Sequence, residues 1–309
     1  MEADTARFVM LTVVIVNWNT REFLSRCLAS LFREADAVPM SVIVVDNAST
    51  DGSVDMLRND YPHVTVVANT ENVGFVRANN QALALATGEW VLFLNPDTEL
   101  QAGALSGMLA YGRSHPDAGA IGPQLLNSDG TLQNSAFRFP DPGRLFLEFV
   151  VSSALASRLE RPGSASVYAV RVDVIRGACL LIRLPLVRDI GGMNERLFMY
   201  AEETDLCYKV AARGYARMLL PDCRVKHHER QSVRQQQEWF MRYHYIRSTI
   251  VFLAENYPRA RARLCIGMIK TGLYSRWAFD VVRGASAGRG QWKKLLRDLK
   301  ATPGWHQED

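Results

Sequence analysis

Leu11–Val16 (LTVVIV) runs into Asn17-Trp18-Asn19, Ser41–Val45 (SVIVV) into Asp46-Asn47-Ala48-Ser49, and Trp90–Leu94 (WVLFL) into Asn95-Pro96-Asp97. Each run is continuously apolar, as expected of parallel strands covered on both faces. Between the first two, Arg21–Arg33 places Phe23, Leu24, Cys27, Leu28, Leu31 and Phe32 at helical spacing. Val64–Val67 reads as a further strand and Phe75–Ala86 as a further helix. Strands separated by helices of this length predict right-handed βαβ units and an α/β fold with an open, mostly parallel central sheet flanked by helices. Ligands of such sheets bind beyond the carboxyl ends of the strands. Here three strand ends carry polar clusters.

Composition limits what such a sheet can belong to. The 309 residues are 48% hydrophobic and 22% charged, with a mean hydropathy of −0.08. This excludes a disordered chain, a collagen-like polymer and a polytopic membrane protein. Five scattered cysteines without a C-x-x-C pair argue against a disulfide framework or a four-thiolate zinc site and fit a reducing compartment. The apolar run Val9–Val16 lacks a basic segment before it and is too short to span a bilayer, so a cytoplasmic protein is expected. Charge is divided unevenly. From Trp239 onward there are 13 Lys/Arg against 5 Asp/Glu, while residues 1–238 hold 23 against 27. An acidic body with a basic tail implies separate work for the two parts.

The strand ends supply carboxylates and amides, with no G-x-G-x-x-G and no G-x-x-x-x-G-K-[ST], so dinucleotide and P-loop sites are disfavoured. Asp46 suits the imide N–H of a pyrimidine base. Asp97 suits a divalent cation that neutralises a diphosphate lacking a glycine cradle. Turn and cap residues crowd Asp46–Gly52, and Asp51 reads as one of them.

Val14–Asn19 (VIVNWN), Val44–Gly52 (VVDNASTDG), Asn72–Phe75 (NVGF) with Ala78-Asn79-Asn80, and Phe93–Asp97 (FLNPD) together resemble the family 2 glycosyltransferases of GT-A fold. Gly177–Leu181 (GACLL), Gly191–Arg196 (GGMNER) and Tyr200–Cys207 (YAEETDLC) resemble its bacterial rhamnosyltransferase-like branch. The resemblance covers about Leu11 to Ser232. It implies that Asp46 binds the nucleotide base, that Val16, Asn17 and Asn19 border the nucleotide, and that Asn72 belongs to the same donor site. The family's D-x-D motif maps to Asn95-Pro96-Asp97. Asp97 is then the metal ligand, while Asn95 lacks the charge for that role and can hydrogen-bond a ribose hydroxyl. Arg77 either pairs with a diphosphate oxygen or is a surface cation.

Glu202, Glu203 and Asp205 open an expected helix, Glu203–Arg213, stopped at Gly214. At 100° per residue Glu202 and Asp205 share a face and Glu203 points elsewhere. The resemblance assigns the general base to the second acid of the E-[DE] pair, which is Glu203, with Asp205 the runner-up and Glu202 and Gly177 on the acceptor side. It also places a metal-binding His after the strand Tyr215–Leu220 and its extension Cys223–Val225, favouring His227 over His228. Mn²⁺ or Mg²⁺ is the implied cofactor, and Ser232 would border the diphosphate.

Beyond Pro258, Arg259, Arg261 and Arg263 precede Leu264–Val282, where Lys270 and Arg276 interrupt the apolar run and argue against spanning a bilayer. A helix lying on an anionic membrane surface is expected, with a protein contact as the alternative. The expected organisation is a catalytic domain over residues 1–232, with a nucleotide-sugar half (9–113) and an acceptor half (114–232), followed by a basic helical extension over 233–309. The expected activity is metal-dependent, inverting transfer from a nucleotide-diphosphate sugar to a saccharide or polyprenyl-diphosphate-linked acceptor. The expected setting is cell-wall or surface polysaccharide assembly, in the cytoplasm or peripherally at the inner face of the plasma membrane. The favoured donor is dTDP-rhamnose, with UDP-galactofuranose or a UDP-hexose as alternatives. A nucleotidyltransferase and a non-catalytic nucleotide-sugar-binding partner are the alternatives from other classes. No nucleic-acid partner is expected, and a homo-oligomer is left open.

Overall fold

A computed structural model describes residues 10–151, 168–229, 238–282 and 286–305. Its strands are β1 (Leu11–Asn17), β2 (Met40–Asp46), β3 (Thr65–Ala68), β4 (Trp90–Leu94), β5 (Thr98–Leu100), β6 (Ala118–Leu126), β7 (Ala136–Phe137), β8 (Val170–Arg171), β9 (Val174–Ile175), β10 (Cys179–Arg183) and β11 (Ala216–His227). The main sheet has the order β3-β2-β1-β4-β10-β6-β11-β5, with β8 also paired to β11, and β7 and β9 form a separate ribbon.

The four strands with apolar runs lie side by side and parallel, joined by the helices Arg21–Phe32, Ser53–Asp60 and Phe75–Leu85. Every residue of β1 and β4 is buried, which explains runs without polar alternation. The sheet is mixed, because β10 runs antiparallel to β4 and β6, and β5 and β8 run antiparallel to β11. Tyr215–Leu220 and Cys223–Val225, expected as two pieces, belong to the single strand β11, which continues to His227. The irregularity the sequence suggested survives as a register shift between Leu220 and Arg224. Strand β2 lies on one side of β1 and β4 on the other, so chain direction across the sheet reverses at β1. Such a reversal opens a crevice at the carboxyl ends of the strands. The polar clusters are at those ends.

Core packing around the second half leaves no slack. Gly122 on β6 faces Ile175, and a Cβ at position 122 would overlap the Ile175 Cγ2. Isoleucine is stiff at χ1 and cannot swing aside cheaply. Gly122→Ala is therefore expected to lower stability by about 1–3 kcal/mol. A urea midpoint equal to that of the wild type would contradict this packing.

The described chain groups into two units, the first comprising Met1–Phe137, Pro162–Glu195 and Glu202–Gln235, the second Arg138–Arg161, Arg196–Ala201 and Gln236–Asp309. The second unit contains the helices Pro142–Leu145, Glu238–Asn256, Arg259–Val282 and Ser286–Lys300 and a π-helical turn, Phe146–Val151. Ala262, Cys265, Ile266, Ile269 and Leu273 line the buried face of its longest helix. Lys270 donates to the carbonyl of Trp305 and Arg276 to that of Glu148 at 3.0 Å, so both cations inside the apolar run are satisfied within this unit. Among the described residues no helix is long and apolar enough to cross a membrane.

Candidate active site

The first strand end is a closed hydrogen-bond network. Asn17 and Asp46 stand opposite each other in register. Asp46 accepts from Asn17 Nδ2 and from the Ser49 backbone N–H, each at 2.8 Å. Thr20 donates to Asn17 Oδ1 at 2.7 Å, while the Asn19 N–H donates to Ser49 Oγ at 2.9 Å. Asn19 and Ala48 hold left-handed φ values of 51° and 61°, and non-glycine residues held there cost free energy that the network must offset. Asp51 accepts from the backbone of Arg21 at 2.8 Å and from Ser53, as a turn residue does. Although burial acts to raise it, these hydrogen bonds hold its carboxyl below the usual range.

After β4, the Asn95 N–H donates to the carbonyl of Ala178 at 2.9 Å. Asn95 is thereby tied by its backbone to the turn that carries Gly177. Asp97 is buried, and its Oδ1 lies 3.4 Å from His227 Nε2. The pairing of β5 with β11 sets Thr98 opposite His227 and so brings these two groups together across 130 residues of sequence. Gln133 decides how His227 is used. Its Nε2 donates to the carbonyl of His227 at 3.2 Å and to Asn127 Oδ1 at 3.0 Å, which turns its Oε1 toward His227 Nδ1 at 2.8 Å. Nδ1 thus donates to Gln133, and Nε2 is left facing a carboxylate oxygen of Asp97. A cation shared by Asp97 and His227 satisfies that arrangement, and a partner on the far ring nitrogen is the usual support for a metal-binding imidazole. Among the described residues no third His, Cys, Asp or Glu joins the pair. The pair still fits Mg²⁺ or Mn²⁺, which take much of their shell from water and substrate phosphates. His228 is engaged elsewhere, with Glu99 and Ser128, both at 2.8 Å.

The acids lie on the helix Glu202–Ala212. Asp205 is fully buried and paired with Lys209 at 2.6 Å, one turn on. Among the described residues, Glu202 and Glu203 each have a sealed Oε2 with no hydrogen-bond partner. Burial raises both carboxyls above the usual range, and the neighbouring Glu203 raises Glu202 further, while Arg176 acts to lower Glu203. Gly177 lies against Glu203, with room for a Cβ only 3.4 Å from the Glu203 Cβ. The turn at 176–178 thus joins the β4 end to Glu203.

Two residues named from the sequence stand apart from these contacts. Asn72 is exposed and accepts from the Gly74 N–H at 3.0 Å, as a turn residue does. Arg77 is exposed and 3.7 Å from Glu195. Val16 is buried in β1 next to Asn17, and Ser232 lies outside the described residues. Nothing in the local sequence announces Gln133 or Arg176, whose contacts reach 94 and 53 positions, whereas Lys209 follows Asp205 by four residues, a spacing that helical periodicity does offer.

A mixed, mostly parallel sheet with carboxylates at the ends of β2 and β4, followed by an acidic helix start, is the architecture of nucleotide-diphospho-sugar transferases of GT-A fold. Similarity to known proteins agrees. Residues 12–171 match glycosyl transferase family 2. The chain is 30% identical over 268 residues to N-acetylglucosaminyl-diphospho-decaprenol L-rhamnosyltransferase of Mycobacterium tuberculosis, covering 80% of this chain and 85% of the relative. It is also 28% identical to the low-salt glycan biosynthesis hexosyltransferase Agl10 of Haloferax volcanii, over 64% of this chain and 61% of the relative. Among solved structures, the mannosyltransferase PcManGT of Pyrobaculum calidifontis, in complex with GDP-Man and Mn²⁺, superposes with a TM-score of 0.59 at 18% identity, over 98% of this chain and 89% of that one. S. aureus TarS 1-349 with UDP-GlcNAc gives 0.57 at 18% identity, over 95% and 82%. The chain belongs to glycosyl transferase family 2. It is a glycosyltransferase whose similarity runs to a rhamnosyltransferase.

Proposed function

We propose that the protein transfers L-rhamnose from dTDP-rhamnose to a polyprenyl-diphosphate-linked saccharide, with inversion at the anomeric carbon and with Mn²⁺ or Mg²⁺ bound by Asp97 and His227. The observation that carries this reading is the Glu203 carboxylate, whose Oε2 has no partner among the described residues and which is linked through the 176–178 turn to the strand end bearing Asp97. The mycobacterial relative is named for an N-acetylglucosaminyl-diphospho-decaprenol acceptor and an L-rhamnosyl donor group, and it supports both substrate classes. Galactofuranose or a hexose is the alternative donor sugar.

In this mechanism Asp46 accepts from the base imide N–H, and Val16, Asn17 and Asn19 border the nucleotide. Glu203 takes the proton of the acceptor hydroxyl as its oxygen bonds to the anomeric carbon. The bond from that carbon to the diphosphate breaks, and the electron pair leaves with the diphosphate. The cation supplies charge neutralisation to the leaving group. Asp205, held by Lys209, is left to structure, so Glu203 is the base. One displacement from the face opposite the leaving group inverts configuration. Residues 1–232 carry this chemistry.

A panel of dTDP-rhamnose, UDP-galactofuranose and UDP-glucose, each with Mn²⁺ or Mg²⁺, tests the donor. A ligand at 100 times its Kd adds about 2.7 kcal/mol of stability, so the true donor raises Tm by several degrees. Stabilisation by a UDP-sugar alone would move the assignment to that donor.

Residues 233–309 are proposed to hold the enzyme against an anionic membrane. The longest helix exposes Tyr274, Trp277, Phe279, Val281 and Val282 toward its end and Arg259, Arg261, Arg263 and Leu264 at its start. Basic residues near anionic lipid contribute about 1 kcal/mol each. Flotation with phosphatidylglycerol vesicles at low salt is expected, lost at high salt. Flotation equal with neutral vesicles, or none at all, rejects the membrane in favour of a protein contact.

A further inference from the structure

Within the second unit, Arg242 sits in the corner of two indoles, those of Trp239 and Trp292, whose ring centroids are 4.9 Å apart at an interplanar angle of 87°. Its guanidinium carbon is 5.2 Å from each centroid. Trp292 is buried and held by its Nε1, which donates to Asp280 at 2.8 Å. Arg276 lies one helical turn before Asp280, and its Nη2 donates to the carbonyl of Glu148 at 3.0 Å. The Glu148 carboxylate accepts at 2.7 Å from Tyr245, one turn after Arg242. Two separate chains of contact, through Trp292 and Asp280 and through Tyr245 and Glu148, thus bring the two arginines to one place. Both neighbouring acids are engaged by uncharged donors. Among the described residues neither guanidinium forms an ion pair, and Arg242 donates no hydrogen bond. Burial, and then the charge of Arg242, hold Arg276 below the usual arginine range, against the opposing pull of Glu148.

An arginine packed against aromatic rings keeps its edge N–H donors available, in the fork that matches two phosphate oxygens. Apolar side chains border the same place. At about 100° per residue, Trp277 and Val281 lie on one side of the Arg276–Asp280 row and Phe279 on the other, and all three are exposed. We propose that Arg242 and Arg276, walled by Trp239 and Trp292, bind the phosphodiester of a membrane phospholipid whose acyl chains lie along those exposed residues. The choice of a lipid rests on residues 233–309 meeting a membrane. Lys293, exposed and next to Trp292 in sequence, adds a third cation against Glu148 and Asp280, so the surroundings stay positive. Indoles and snorkelling arginines suit the headgroup level of a bilayer. The diphosphate of the acceptor is a different ligand. Its sugar is joined directly to that diphosphate, which therefore belongs with Glu203 in the first unit, whereas every residue of this site is in the second.

The test is a calorimetric titration of the full chain with dihexanoyl-phosphatidylglycerol below its micelle concentration, compared with inorganic phosphate and geranyl diphosphate. Wild type is expected to saturate with the phospholipid and to bind inorganic phosphate far more weakly. Arg242→Gln and Arg276→Gln should each weaken phospholipid binding by about tenfold or more, the ordinary worth of a charge-assisted hydrogen bond. Arg242→Lys keeps a cation against both indoles, which protects the fold, but loses the fork, so it too should bind weakly. Phospholipid binding unchanged in Arg242→Gln and Arg242→Lys overturns the proposal. So does inorganic phosphate binding as tightly as the phospholipid, or geranyl diphosphate binding more tightly than it in an Arg242-dependent way. Flotation of the wild type on phosphatidylglycerol vesicles without short-chain binding rejects this site and leaves the membrane reading standing. Arg242-dependent short-chain binding without flotation upholds the phosphate site and rejects the membrane, so the two claims fail separately.

Discussion

Glu203→Gln is expected to bind donor as wild type does and to turn over about 10²-fold more slowly or worse, the ordinary worth of a positioned general base. The amide keeps the size and most of the packing of the carboxylate, so the loss reports proton acceptance alone. Burial raises Glu203 above the usual carboxylate range, which brings its basicity nearer to what removing a hydroxyl proton requires. The wild-type rate therefore climbs as pH rises through this raised value. Stability changes in the opposite sense. A carboxyl raised on folding contributes stability that is complete below its unfolded value and is lost as pH rises through the folded one. The Gln variant should lack that loss and gain on the wild type toward neutral pH. Turnover by Glu203→Gln within a few-fold of wild type would remove Glu203 from the chemistry, whatever its effect on stability.

Asp97→Ala should be as damaging through a different step. It removes the carboxylate that faces His227 Nε2 at 3.4 Å, leaving one candidate protein ligand and an uncompensated diphosphate. A loss of about 10²-fold or more in kcat/KM is expected, equal to roughly 2.7 kcal/mol of transition-state stabilisation, with weakened donor binding. EDTA should reproduce the effect in the wild type, and added Mn²⁺ should reverse it. Gln133→Leu offers a gentler version. Without its acceptor on Nδ1 the His227 ring loses its orientation, and Mn²⁺ affinity should fall by about 10–100-fold. Activity indifferent to chelation in the wild type would refute the cation at Asp97 and His227 outright.

The apolar runs at Leu11–Val16, Ser41–Val45 and Trp90–Leu94, with the polar clusters that end them, were enough to specify parallel strands and the edge of the sheet where ligands gather. That information is local: a strand covered on both faces must be apolar throughout, and only its end can hold polar groups in a crevice. Asp46 and Asp97 could be named as candidates because they stand at or just past the ends of such strands, whereas Glu203, inside a helix, and His227, at the end of β11, were named by resemblance to the family's motifs. The direction of β10, β5 and β8 was not legible, since a short apolar run reads the same in either direction and pairing is chosen by partners far along the chain. Pairing of β5 with β11 decided that Asp97 meets His227, and Gln133 reaches the His227 ring from 94 positions away. Those choices depend on contacts between distant residues, where burial removes water and leaves each polar group to whichever partner the packing delivers. The sequence alone thus determined the kind of site and the strand ends that bear it. Tertiary structure decided the state in which each group waits there.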